Sequence, residues 1–252
     1  MDRSQRVAAR IFGITYLAGL VIITVVFTRF YAPYLVWGNG EETARHFIGH
    51  DSAIRVYLAG AFLHGLAMIV LLTALYVILG PVNRGVALFA AFSKMIYVVF
   101  WFLLQLEVFG ALHLLAGAAS LRSFGQDGLI ALAGTQLDSS RDAYYIGLVF
   151  TGLGSALFAW VFFQSRYIPR ILALWGVLAS VYEGFCGFAF LFRPDFGAVL
   201  SPDWYELPAM TFDLLLCVWL LVRGFRSPEP GSGKATAGLK TGYRNDLGNG
   251  QG

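Results

Sequence analysis

Six runs of mainly apolar residues, at about 8–28, 53–80, 85–117, 144–165, 170–192 and 207–224, constrain this chain more than any motif it contains. A helix needs about 20 such residues to cross a hydrocarbon core of roughly 30 Å, and each run is about that long or longer. Composition agrees: 58% of the 252 residues are hydrophobic and 13% are charged, against about 25% charged in a soluble domain. A soluble chain of this size cannot hide that much apolar surface. The expected fold is all-α: a polytopic membrane helix bundle with six transmembrane helices.

The first run follows Arg3, Arg6 and Arg10 and so invites comparison with a signal peptide. It is long for one, and Thr28-Arg29-Phe30-Tyr31 offers no small-x-small cleavage site, so it reads as a retained helix. The third run is overlong: its 33 residues would give about 50 Å of helix. It must tilt, project into water or break near Gly110.

With the N-terminus inside, eleven Lys and Arg fall on the cytoplasmic side and six on the other, or eight against six without the tail charges. The positive-inside rule therefore puts both termini in the cytoplasm. Gly80-Pro81-Val82-Asn83-Arg84 reads as a tight inner turn, and Pro169 as the start of a helix. Residues 1–225 form the transmembrane domain. The polar, Gly-rich residues 226–252 form an expected disordered cytoplasmic tail, unable to bury enough apolar surface to offset ordering entropy.

Several function classes drop out. Two cysteines cannot make a disulfide scaffold, and a net charge of +3 is too small to argue for nucleic acid. Gly231-Ser232-Gly233-Lys234 fails as a phosphate loop: Pro228 replaces the earlier glycine, Ala235 replaces Ser/Thr, and no strand precedes it. There is no internal repeat of the transporter kind and no zincin, Cys-x-x-Cys, hydrolase or dinucleotide motif. No His, Asp or Glu pair within a run has metal-ligand spacing, so no metal is expected, and no cofactor such as a nucleotide or haem. The evident partner is the lipid bilayer; the oligomeric state is open.

Short motifs recur in a distinctive order. They are Arg10-Ile11, Asp51-Ser52-Ala53-Ile54-Arg55, Pro81-Val82-Asn83-Arg84 and Asp142-Ala143-Tyr144-Tyr145-Ile146-Gly147. Ser165-Arg166-Tyr167-Ile168-Pro169-Arg170 and Leu220-Leu221-Val222-Arg223-Gly224 complete the series. Over about residues 8–225 the chain resembles the domain-of-unknown-function family 4386, mostly bacterial multi-span membrane proteins. That resemblance implies a multi-pass protein of the bacterial cell (plasma) membrane and no particular activity. Many members carry an Arg and then a carboxylate early in the third helix; here that stretch reads Ser93-Lys94-Met95-Ile96-Tyr97.

An ionisable side chain near the bilayer centre costs from about 2.5 kcal/mol upward, so His64, Lys94, Glu107, His113, Glu183 and Asp213 each need a reason. Measured from the expected outer helix ends, His64 lies about 16 Å deep, Glu107 about 15 Å, Glu183 about 14 Å and Asp213 about 9 Å. Lys94 alone would occupy the inner half, and its four-carbon stem would let it snorkel toward the cytoplasm. Arg55, Asp142, Tyr145 and Glu206 would ring the outer mouth. This asymmetry points to a polar-lined cavity in the outer half, with His64, Glu107, Glu183, Asp213, Tyr145 and Arg55 as candidate ligand-binding residues. Gly176, Ser180 and Gly184 form a small-xxx-small stripe that permits close helix packing and keeps Glu183 inside the bundle.

Each residue also has a plain role. The histidines can hydrogen-bond across helices. Asp51 and Arg55, four apart, suit a surface ion pair, and Asp142 suits the opening of a helix. Trp37, Trp204, Tyr144 and Tyr145 suit an interface belt, Phe92, Phe100, Trp101 and Phe102 suit packing, and Cys186 and Cys217 suit small apolar positions.

The leading expectation is an integral membrane protein that binds a small apolar or lipid-like molecule in this cavity. The alternatives are an intramembrane acid/base enzyme acting on an isoprenoid or lipid, a proton-coupled transporter, and a structural or accessory membrane protein.

Overall fold

Turn chemistry sets the helix boundaries. The Asn83 side chain accepts the Val86 amide at 3.1 Å, directly after Pro81, and a helix begins at Arg84. Asn39 does the same for Glu42 at 2.9 Å. Arg166 takes a left-handed φ of 56°, turning the chain so that Pro169 can open the helix that starts at Arg170.

The computed structural model describes residues 3–116, 125–193 and 202–222. The expected disordered tail, 226–252, lies outside them. In chain order the helices are α1 (Arg3–Phe30), α2 (Gly40–Phe47), α3 (Asp51–Leu79), α4 (Arg84–Leu115), α5 (Gly125–Ser165), α6 (Arg170–Phe192) and α7 (Pro202–Val222). A short 3-10 turn, Ala32–Tyr34, leads from α1 toward α2. The described residues contain no strand. All the helices except α2 are long and apolar enough to cross a membrane.

The spans close a ring in chain order. Each packs on the next (α1 on α3, then α4, α5, α6 and α7), and α7 returns to α1. Closure is tight: a Cβ on Gly13 of α1 would fall 2.5 Å from the Leu221 side chain, and Cys217 donates to the Gly13 carbonyl at 3.3 Å. Small residues bring other pairs equally close. A Cβ on Gly152 of α5 would meet the Gly184 backbone of α6 at 2.5 Å, and one on Gly176 would meet the Phe212 ring of α7 at 2.5 Å. The expected stripe thus packs on two partners, with Gly184 against α5 and Gly176 against α7.

At the end of the ring that holds Arg3, Phe12, Ile78, Ala87, Phe162, Ala173 and Leu220, one from each span, belong to a single buried apolar layer. A second layer at the opposite end joins Tyr31, Phe47, Ile54, Val108 and Leu137.

Of the three ways open to the overlong third run, a break near Gly110 does not occur: α4 runs straight through, and the missing Cβ leaves room for the Gln136 side chain of α5, 2.4 Å from where it would be. The excess length of α4 projects alongside α5. The span expected at 144–165 is only the second half of α5, a 41-residue helix that would measure about 60 Å. Its first half contains no span-length apolar run. It does bury Ile130, Ala133, Gly134, Leu137 and Ser140, a one-sided stripe at helical spacing. On that stripe sits α2, with Gly40 so close that a Cβ would lie 2.2 Å from the Gly134 carbonyl oxygen. Asp142 is therefore mid-helix and caps nothing.

Candidate functional site

Helix rotation aims one set of polar groups at the middle of the ring. On α6, Gly184 faces α5 and Gly176 faces α7, and Ser180 lies about 40° from each, on the arc between them. Glu183 is seven residues from Gly176 and so shares its direction, toward α7. On α7, Phe212 faces α6 and Cys217 faces α1; Asp213 falls between, about 100° from the first and 40° from the second. The lipid-facing side of α6 carries Leu174, Leu178, Val181, Phe185 and Phe188, all exposed, as this rotation requires.

Lys94 joins them from α4. Its stem crosses Gly154 of α5, where a Cβ would fall 2.4 Å from Cγ, and its Nζ donates to Ser155 Oγ at 2.6 Å. The ammonium is within Coulombic range of both Glu183 and Asp213, and these two carboxyls are within range of each other. Tyr16 of α1 reaches the neighbourhood of Asp213, and Tyr97 of α4 that of Glu183. Four helices therefore contribute Lys94, Ser155, Glu183 and Asp213 to one interior cluster, bordered by two tyrosines. Lys94 does not reach back to the near end of α4. A helical partner with a glycine at 154 and a hydroxyl at 155 holds it inside.

The depth changes as well. α7 begins at Pro202, so Asp213 lies 11 residues from its start, about 16 Å instead of the 9 Å expected from a start at residue 207. Lys94 lies ten residues into α4, about 15 Å. The cluster sits near mid-span. Beyond it, Glu206 accepts a hydrogen bond from the Tyr144 hydroxyl, and Tyr205 packs edge-on against Phe190.

The other candidate residues lie elsewhere. His64 hydrogen-bonds the Gly19 carbonyl of α1 at 3.1 Å and meets the Trp101 ring at 5.2 Å. Glu107 is half-buried on α4, 13 residues from Lys94 and so about 20 Å along the helix. Arg55 donates to Asp51 at 2.7 Å and stands over the Phe109 ring, an exposed pair as its spacing suggested. Tyr145 stacks on Phe190 with centroids 4.0 Å apart. Exposed His113 bonds one turn back to the Phe109 carbonyl. Of the six candidates, only Glu183 and Asp213 come together.

Lys94, Ser155, Ser180, Tyr16 and Tyr97 were not among them. Lys94 had been marked as an ionisable group within a span and Ser180 as part of a packing stripe, but Gly154-Ser155, the small pair that receives Lys94, becomes readable only when α4 and α5 are known to be neighbours. An apolar groove of about 620 Å³ opens on the surface of the bundle between the start of α6 and the end of α7, lined by Leu172, Trp175, Leu215, Val218 and Trp219, away from the cluster. Among the described residues no three His, Cys, Asp or Glu side chains gather as metal ligands.

His64→Ala should remove one interhelical hydrogen bond between α1 and α3 and cost about 1 kcal/mol. Thermal unfolding in detergent measures this, and a loss above about 3 kcal/mol would mean that the imidazole does more than bridge these helices.

The family model described as "Domain of unknown function (DUF4386)" matches residues 11–224, and the chain belongs to that family. No curated protein and no solved structure matches the chain.

Proposed function

From membership of a family without an assigned activity, and from the interior cluster, we propose that this integral membrane protein binds a small apolar or lipid-like molecule. The polar end of the molecule is held by Glu183 and Asp213, and the membrane concerned is the bacterial cell membrane. One observation carries the reading: two carboxyls and an ammonium from three different helices lie within Coulombic range of one another inside a ring of apolar spans. Buried charges of this kind are costly and typically mark substrate or ion sites. Interiors that bind small molecules are mostly apolar with a few convergent polar groups, and Tyr16 and Tyr97 add aromatic surface beside the carboxyls.

The purified full chain in a nonionic detergent tests this against a fatty alcohol, a fatty acid and an isoprenoid alcohol. At least one should raise the unfolding midpoint by several degrees, as binding to the folded state alone requires. Glu183→Gln or Asp213→Asn should abolish the shift. No shift with any of the three, or shifts equal in both variants, would count against the reading.

A further inference from the structure

The ring closes differently at its two ends. At the end that holds Arg3, one apolar layer takes Ala8 and Phe12 of α1 together with Leu216 and Leu220 of α7. At the other end the packing divides. Phe27 and Phe30 of α1 pack with Tyr57 in one layer, whereas Tyr205 of α7 packs with Leu148, Cys186 and Phe190 in another. The stripes by which α1 and α7 face each other record this parting. Gly13 and Cys217 touch, and Cys217 is 0% exposed. Met210 points within about 20° of the same direction one heptad away, yet it is 41% exposed. On α1, Leu20 and Thr24 point within about 20° of the direction of Gly13; Leu20 is half-buried and Thr24 is exposed. Side chains aimed at a neighbouring helix are exposed where that helix has moved away.

The cause is local. Gly13 has no Cβ to keep the Leu221 side chain away, so the two helices meet there. Toward its start, α7 is fastened to other helices. The Trp175 indole of α6 donates to the Pro208 carbonyl at 3.1 Å, and Tyr205 packs edge-on against Phe190. Glu206 is engaged by the Tyr144 hydroxyl of α5. Pro208 stands inside α7, where its ring and missing amide hydrogen favour a bend. Asp213 lies at the closed end of the resulting seam, about 40° from the direction of Cys217. It is half-buried and within Coulombic range of Tyr16.

We infer that the parting of α1 and α7 is a lateral entry from the bilayer to the interior cluster. Its occupant is a single-chain amphiphile of the membrane half that holds the start of α7. The polar head reaches Asp213 and Tyr16, and the chain lies in the seam between Leu20 and Met210. The inference rests on the lipid-like ligand proposed above and adds the source of that ligand and its route. A molecule of the bilayer fits because the walls are apolar and exposed, with Leu17 on α1 and Leu214 on α7 beside Met210. The closed end, by contrast, carries a carboxyl and a phenol. Such a cleft matches a molecule with one polar end and one apolar chain.

The full chain in phosphatidylcholine vesicles is photolabelled with a dodecanol that carries a diazirine beside its hydroxyl, and modified residues are mapped by mass spectrometry. Label should appear at Asp213 or Tyr16 and also at Phe185 on the exposed face of α6, which serves as the reference. Leu20→Trp and Met210→Trp each fill the seam from one wall. Either should lower the interior label, relative to Phe185, by about tenfold, equivalent to about 1.4 kcal/mol in occupancy. Leu178→Trp, on the exposed face of α6, should leave it unchanged. The second seam variant decides the matter where the first does not fold.

A butanol carrying the same diazirine tests approach from water. If it labels Asp213 or Tyr16 as strongly as the dodecanol does, the approach is aqueous and the lateral entry falls. Interior label from the dodecanol that persists undiminished in both seam variants would also overturn the entry, and would leave the lipid-like reading standing. Label at Phe185 with none at Asp213 or Tyr16 would remove both.

Discussion

Replacing Lys94 with methionine should cost about 3–5 kcal/mol, the loss expected when one partner of a buried charge cluster is removed and the others remain. The ammonium is bonded to Ser155 at 2.6 Å and lies near two carboxyls in the middle of the ring. Methionine preserves the length of the stem over Gly154, so packing changes little and the lost charge dominates. The triple substitution Lys94→Met, Glu183→Gln, Asp213→Asn should recover most of that stability, because no charge is then left uncompensated. Thermal and denaturant unfolding in detergent compare the three proteins. If Lys94→Met alone is as stable as the parent, the ammonium is solvated and the cluster is not a buried one.

The second large effect is steric. Gly152→Leu should destabilise by about 3 kcal/mol or more, at the upper end of overpacking costs. Even a Cβ there would lie 2.5 Å from the backbone of Gly184 and 2.7 Å from the Ser180 carbonyl, and backbone cannot move aside as a flexible side chain can. α5 and α6 would have to separate, and Glu183 and Ser180 would move away from Ser155 and Lys94. Any ligand-dependent stabilisation should therefore fall in the same variant. Gly85→Ala is the control: the nearest atom to its Cβ is 3.9 Å away, and it should be neutral or slightly stabilising. Equal effects at the two glycines would mean that close approach of α5 and α6 does not organise this ring.

The spans were legible because hydropathy is a local property. Five of the six expected segments differ from the observed helices by only a few residues at their ends. The exception is instructive: residues 125–143 are helical through an amphipathic stripe that packs on α2 and α4, and no apolar run announces it. The small-xxx-small stripe on α6 was visible as spacing, and the structure supplied its two partners. The site was legible only in part. Glu183 and Asp213 stood out because carboxylates in apolar runs are rare. His64 stood out for the same reason, yet its Nδ1 bonds a backbone carbonyl of α1, away from the two carboxyls. Lys94 looked like a side chain that would escape to the surface, because a long stem over an unknown neighbour has no fixed direction.

What the sequence determined by itself is a multi-pass membrane protein, its number of apolar spans and the inventory of ionisable groups they carry. Each follows from the residues of one segment and the thickness of a bilayer. Only the tertiary structure decided which of those groups meet. That depends on the rotation of each helix about its axis, and rotation is set by where Gly13, Gly152, Gly154, Gly176 and Gly184 let neighbouring helices approach. Close packing is a property of pairs of segments, so a single segment cannot reveal it.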